Sequence, residues 1–197
     1  DKDANFEKDN WAVFFPAGTF YEDFYLDFDV KDNVMTVQND LTAVHNNFLV
    51  TVLDNSTNND EKTFIASVKN GKLSYNNTKR IDNTFSTYTK KLGEFKLSRD
   101  TIAPRISISK SIEGKWITNQ KSIQLYISDE MSGINTYSGY INGKWVLFEY
   151  EHKNNKITHY FDDKFLNEGE NDLKVVVTDN VGNSTIFETR FLRSQKK

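Results

Sequence analysis

Side chains along this chain change character at every second position, and that period of two restricts the fold more than any other feature. In Ser122-Ile123-Gln124-Leu125-Tyr126-Ile127-Ser128, the apolar residues Ile123, Leu125 and Ile127 fall on one side of an extended chain and the polar ones on the other. Leu173, Val175 and Val177 repeat the pattern, as do Phe24, Leu26 and Phe28 against Tyr25, Asp27 and Asp29. No stretch carries apolar residues at the i, i+3, i+4, i+7 spacing of a helix. Asn70-Gly71 and Asn142-Gly143 stand between alternating runs, where both central residues of a tight hairpin tolerate positive φ. The chain is therefore expected to be all-β.

Asp100-Thr101-Ile102-Ala103-Pro104 divides it. Proline lacks an N–H and biases the preceding residue towards extended backbone, so the segment reads as an extended, stiff connector. Phe95 to Ser98 alternates before it and Arg105 to Ser109 after it. We expect two tandem immunoglobulin-like β-sandwich domains: residues 1–100, with a polar lead-in at 1–10, and residues 101–197, with a polar tail at 193–197. One large sandwich with this stretch as an interstrand loop is the alternative. In the first half, strands are expected at Trp11–Phe15, within Thr19–Val30, and at Val34–Val37, Phe48–Leu53 (apolar on both faces), Thr63–Val68, Leu73–Tyr75, Phe85–Tyr88 and Leu92–Leu97. In the second half seven are expected, the hairpin returning as one strand over Lys144–Glu151 and Ile157–Phe161 following an Asn154-Asn155 turn.

Composition bears on partners. Twenty-five Lys and Arg against 28 Asp and Glu, scattered along the chain, do not make the clustered positive face that phosphate binding needs, so no nucleic acid partner is expected. No apolar run reaches the ~20 residues of a membrane span. The absence of cysteine excludes disulfides and thiolate chemistry. The fifteen Phe, nine Tyr and three Trp bury enough area each to fill two cores.

Several stretches carry a family resemblance. Asp100-Thr101-x-Ala103-Pro104, Asp129-x-x-Ser132-Gly133-Ile134 and Thr178-Asp179-Asn180-Val181-Gly182-Asn183 resemble bacterial immunoglobulin-like modules of secreted and surface proteins. The denser pattern comprises Ser132-Gly133-Ile134-x-x-Tyr137, Gly143 to Tyr150, Leu173 to Asn183, Pro16 to Tyr25 and His45-Asn46-Asn47-Phe48. It looks like the C-terminal, non-catalytic region of bacterial lysostaphin/LytM-type zinc endopeptidases. That family's catalytic domain carries His-x-x-x-Asp and His-x-His; neither is expected in this chain, and no catalytic residue is carried over. The resemblance implies a bacterial cell-envelope setting, periplasmic or extracellular. It implies an accessory role beside a peptidase domain upstream in the same polypeptide, through spacing, substrate presentation or restraint. A stand-alone adhesion or glycan-binding module, with cell-wall glycan or peptide as partner, is the alternative.

For the chain itself no enzyme activity is expected. His152 and His159 lie across the Asn154-Asn155 turn, where His152 would face Ile157 and His159 would face Tyr150, two rungs apart and read as exposed strand histidines rather than zinc ligands. No Gly-x-Ser-x-Gly elbow occurs. Sandwich topology puts Asp100, Asp129, Glu130 and Asp179 at one pole of the second domain, facing the first. There the carboxylates either hold calcium, a cation of multiple oxygen ligands, or cap their own turns. Tyr137, Tyr140, Trp145 and Tyr150 on the central hairpin are the candidate aromatic contact surface, set against a role in the core.

Overall fold

A computed structural model describes residues 2–56, 60–162 and 164–194. The chain divides into two units, Asp1–Thr101 and Ile102–Lys197. Each is a β-sandwich, and the chain is all-β: a tandem of immunoglobulin-like sandwiches.

The first unit contains β1 (Ala4–Lys8), β2 (Trp11–Phe15), β3 (Phe28–Lys31), β4 (Val34–Val37), β5 (Phe48–Leu53), β6 (Thr63–Lys69), β7 (Lys72–Tyr75), β8 (Lys79–Ile81), β9 (Thr84–Thr89) and β10 (Gly93–Arg99). Among the described residues these form two five-stranded sheets, β1-β2-β5-β9-β8 and β3-β4-β10-β6-β7. Alternation decides which residues meet between them. Trp11, Val13 and Phe15 come from β2, Phe48, Val50 and Val52 from β5, and Met35 and Val37 from β4; all are buried in one core with Phe85 and Phe95. Asn70 and Gly71 join β6 to β7 with φ of 51° and 72°, the left-handed pair that a tight hairpin needs.

Three expectations change here. The polar lead-in contains an edge strand: β1 turns back at Asp9 (φ 53°) and pairs with β2. The segment 19–27 alternates yet forms only an isolated Phe20–Val44 bridge, because its neighbour 38–47 is also irregular and offers no ladder; Tyr25 and Leu41 stand in solvent. β5 buries one face only, with Leu53 45% exposed.

Exposed ion pairs tie this unit together at Lys8–Asp29, Lys69–Asp40 (2.5 Å) and Arg99–Asp60 (2.5 Å). The Arg99 guanidinium holds the Asp60 carboxyl below its ordinary 3.8, and the Lys69 ammonium does the same for Asp40. A folded-state value below the unfolded one adds stability above about pH 4, which is lost as pH falls through the lowered value. Urea midpoints of the first unit should therefore drop on acidification below pH 4, and Asp60→Asn should flatten that limb.

The second unit contains β11 (Arg105–Ser107), β12 (Lys115–Trp116), β13 (Ser122–Ser128), β14 (Ile134–Ile141), β15 (Lys144–Val146), β16 (Glu149–Glu151), β17 (Lys156–Tyr160), β18 (Gly169–Asp179) and β19 (Ser184–Arg193). Their order is β11-β13-β17-β16 facing β12-β19-β18-β14-β15. This is the immunoglobulin order, A-B-E-D against G-F-C-C′, with a short extra strand, β12, pairing parallel to β19. Ile123, Leu125, Ile127, Leu173, Val175, Val177 and Phe191 fill the core, each at most 2% exposed.

The expected single strand over 144–151 is two. β15 pairs with β14 in one sheet and β16 with β17 in the other, so the chain changes sheets at Leu147-Phe148. Outward and inward positions still alternate across that switch: Trp145, Leu147 and Glu149 face out, Val146 and Phe148 in. Glycine at 139 makes it possible, since a Cβ there would overlap the buried Phe148 ring. The following turn is a 3-10 turn at His152–Asn154 closed by Asn155 at φ 51°, so Tyr150, not His152, pairs with Ile157. The polar tail also starts later than expected. Arg193 belongs to β19, is buried, stacks over Phe161 at 3.9 Å and donates to the Ile117 and Gln120 carbonyls. Residues 195–197 of that tail lie outside the described residues.

Candidate functional site

The acidic candidates separate into different roles. Asp179 ends β18 with no exposed surface. Its Oδ1 accepts the N–H groups of Val181 (3.0 Å) and Asn183 (2.7 Å), and its Oδ2 accepts the Asn183 amide (2.7 Å). Asp129 follows β13 directly, and its Oδ1 accepts the N–H groups of Met131 (3.1 Å) and Gly133 (2.6 Å). Both carboxylates thus organise their own turns. They also bring oxygens within 4.8 Å of one another, a spacing at which two negative charges repel unless donors or a hard cation offset them. Glu130 points to solvent, its carboxylate 3.9 Å from Arg105. Asp100 follows β10 in the first unit, buried, and its N–H donates to the Lys62 carbonyl.

Of the three histidines, one is buried. His159 is 6% exposed rather than on the surface, because it shares the inward face of β17 with Ile157. Its Nδ1–H donates to the Leu147 carbonyl (2.8 Å), and its ring lies between Phe148 and Phe161. His152 sits in the 3-10 turn against the Tyr150 ring, and His45 hydrogen-bonds Tyr21 (3.0 Å). Half of a zinc signature, His-x-x-x-Asp, does occur, from His159 to Asp163. Asp163 lies outside the described residues, and the buried His159 is committed to the Leu147 carbonyl.

The hairpin aromatics divide likewise. Tyr137 and Tyr150 pack on the core as a ring pair 5.7 Å apart. Tyr140 and Trp145 are opposite one another in the β14–β15 ladder; Tyr140 is half-buried and Trp145 is 58% exposed. Trp145 finds its companions elsewhere. With Leu147, Tyr160 and Phe165 it lines a cleft of about 390 Å³, together with Glu149, Thr158, His159, Asp162 and Lys164. The cleft lies at the side of the sandwich, where β15 of one sheet approaches β17 of the other and the β16 ladder has ended at Glu149–Thr158. Leu147 and Tyr160 escape the sequence reading, although alternation signals both: Leu147 shares the outward phase of Trp145, and Tyr160 follows the buried His159.

One wall of the cleft is fixed from beneath. Asn171, 1% exposed, accepts the Asn167 N–H (2.7 Å) and the Asn142 amide (2.8 Å) and donates to the Asn167 and Gly169 carbonyls. Asn142 also donates to the Phe165 carbonyl (2.8 Å), and the Lys144 ammonium lies 5.2 Å from the Phe165 ring centre. Asn171→Leu should leave several buried groups unsatisfied, costing about 2–4 kcal/mol, and should broaden the amide signals of residues 164–168.

A family model for the Zu5-like domain matches residues 1–100, just over half of the chain. The chain belongs to the Zu5-like domain family. No match is found among curated protein sequences. Solved structures similar to this Zu5-like protein include fibronectin(III)-like modules of Clostridium thermocellum CbhA, at 10% identity and a TM-score of 0.38, over 76% of this chain and 86% of that one. Titin Ig tandem domains A164-A165 match at 10% identity and 0.31, over 76% and 88%; tandem Ig repeats of Dlar match at 9% and 0.29, over 76% and 90%. The strand order of the second unit, A-B-E-D against G-F-C-C′, is itself that of an immunoglobulin sandwich. His159 and the carboxylates of Asp129 and Asp179 are thus engaged in holding the second unit together.

Proposed function

We propose that this Zu5-like tandem is the accessory region of a bacterial cell-envelope zinc endopeptidase directed at peptidoglycan, placed outside the cytoplasmic membrane. It supplies spacing and substrate presentation to a catalytic domain in the same polypeptide, as in lysostaphin/LytM-type enzymes. The observation that supports this reading is the second unit itself. The motif residues Ser132-Gly133-Ile134 and Asp179 to Asn183 sit at corresponding β-turns, where Asn180 of one turn donates to the Ser132 carbonyl of the other (2.8 Å). That junction accounts for the two motifs occurring together.

The test uses the parent polypeptide. Deleting residues 1–197 of this sequence should leave hydrolysis of a short soluble peptide within about twofold and slow digestion of intact sacculi by about tenfold, because presentation acts on the anchored substrate only. An equal loss on both substrates, or a parent gene without His-x-x-x-Asp and His-x-His upstream, would defeat the proposal.

A further inference from the structure

We propose that the cleft lined by Trp145, Leu147, Tyr160 and Phe165 binds a neutral glycan. Three observations select that occupant. The first is size: about 390 Å³ falls within the ~300–1,000 Å³ of small-ligand sites, whereas a folded partner needs a face of about 800 Å². The second is the apolar content. Trp145 (58%), Leu147 (57%) and Tyr160 (58%) are exposed together, and large exposed apolar groups gathered in one place mark a contact. An aromatic face carries the negative side of its quadrupole, which attracts the C–H face of a pyranose ring.

The third is the polar content. Glu149 supplies acceptors, and Asp162 and Lys164, an ion pair 3.5 Å apart, supply further acceptors and a donor beside the apolar groups. An acyl chain would desolvate Glu149 and the Asp162–Lys164 pair and offer no hydrogen bond in return. A polyanion would meet two carboxylates against one ammonium. A hydroxyl-rich neutral ring presents donors to the carboxylates and acceptors to the ammonium, so each polar group is satisfied. The site is also built before any ligand arrives. The Phe165 wall hangs on Asn142, and the Leu147 wall on the hydrogen bond from His159 to its carbonyl. A preorganised cleft loses less entropy on binding.

That the sugar is N-acetylated and β-1,4-linked, as in a cell wall, rests on the function proposed above; the cleft's preference for a neutral glycan does not. The experiment titrates the full chain with the β-1,4-linked N-acetylglucosamine tetramer and, separately, with maltotetraose, following tryptophan emission and amide chemical shifts. The expected result is binding of the N-acetylated tetramer with a Kd on the order of 1 mM or tighter. Trp145→Ala and Tyr160→Ala should each weaken it about tenfold or more. Trp116→Ala, which removes a tryptophan 61% exposed on β12, should leave it unchanged. All three side chains are exposed, so circular dichroism should confirm folded variants. Binding of maltotetraose alone would keep the cleft assignment and overturn the cell-wall specificity. Binding of neither sugar, binding indifferent to Trp145→Ala, or chemical shifts moved at the cleft only by a free cell-wall peptide would overturn the proposal.

Discussion

Gly139→Ala destabilises the second unit by about 3 kcal/mol or more, a larger effect than most single-methyl insertions produce. The added Cβ would occupy the position of the Phe148 ring, which is 3% exposed. Overpacking a dense core costs about 1–3 kcal/mol when neighbours can adjust. Here the neighbour is a buried ring at the point where the chain passes from one sheet to the other. Expelling it would forfeit the 3–5 kcal/mol typical of a buried Phe. For a domain of roughly 95 residues this corresponds to a fall in Tm of about 12 °C or more. Amide hydrogen exchange of β13 and β18 in the full chain is the measurement, and protection should drop by a factor of about 100 or more. A second variant, Phe148→Ala on the Gly139→Ala background, should cost less than the sum of the two single changes, because each removes the clash with the other.

Asp179→Ala should have the second large effect, about 3 kcal/mol. Its carboxylate accepts three hydrogen bonds inside a buried turn, and truncation removes the acceptor of all three. Asp179→Asn retains Oδ1 for the two backbone bonds and should lose about half as much. The comparison separates hydrogen-bond geometry from charge. The same turn packs on Gly133, whose carbonyl accepts the Asn180 N–H (3.1 Å), so exchange should rise first at residues 131–134 and 180–183.

The period of two told which residues fill the second core, because a strand packed on one face leaves a side chain little choice: Ile123, Leu125 and Ile127 are all buried. It told less where a ladder depends on a distant partner. Lys115-Trp116 is too short to alternate, and it pairs parallel with residues more than seventy positions later. Residues 19–27 alternate without a partner and stay irregular. Turn chemistry was legible at Asn142-Gly143 and Asn70-Gly71, since their conformation is local. Buried polar groups were not. His159, Asn171 and Arg193 carry surface-type side chains, and only the tertiary structure brings them carbonyls to satisfy.

The candidate site was half legible for the same reason. Trp145 was singled out from its position beside a hairpin. Its companions come from β17 and from the loop before β18, and sequence spacing cannot bring those together. Tyr137 on β14 and Tyr150 on β16 alternate with it, yet their phase turns them into the core.

If the Zu5-like tandem is the accessory region proposed above, it does not cut peptidoglycan by itself and acts through the surfaces its sandwiches present. Incubating the purified chain with intact peptidoglycan sacculi, with and without added zinc, and measuring released amino groups tests it most directly. No release above the buffer control is predicted in either condition. Release that depends on the chain and grows with its concentration would contradict the account.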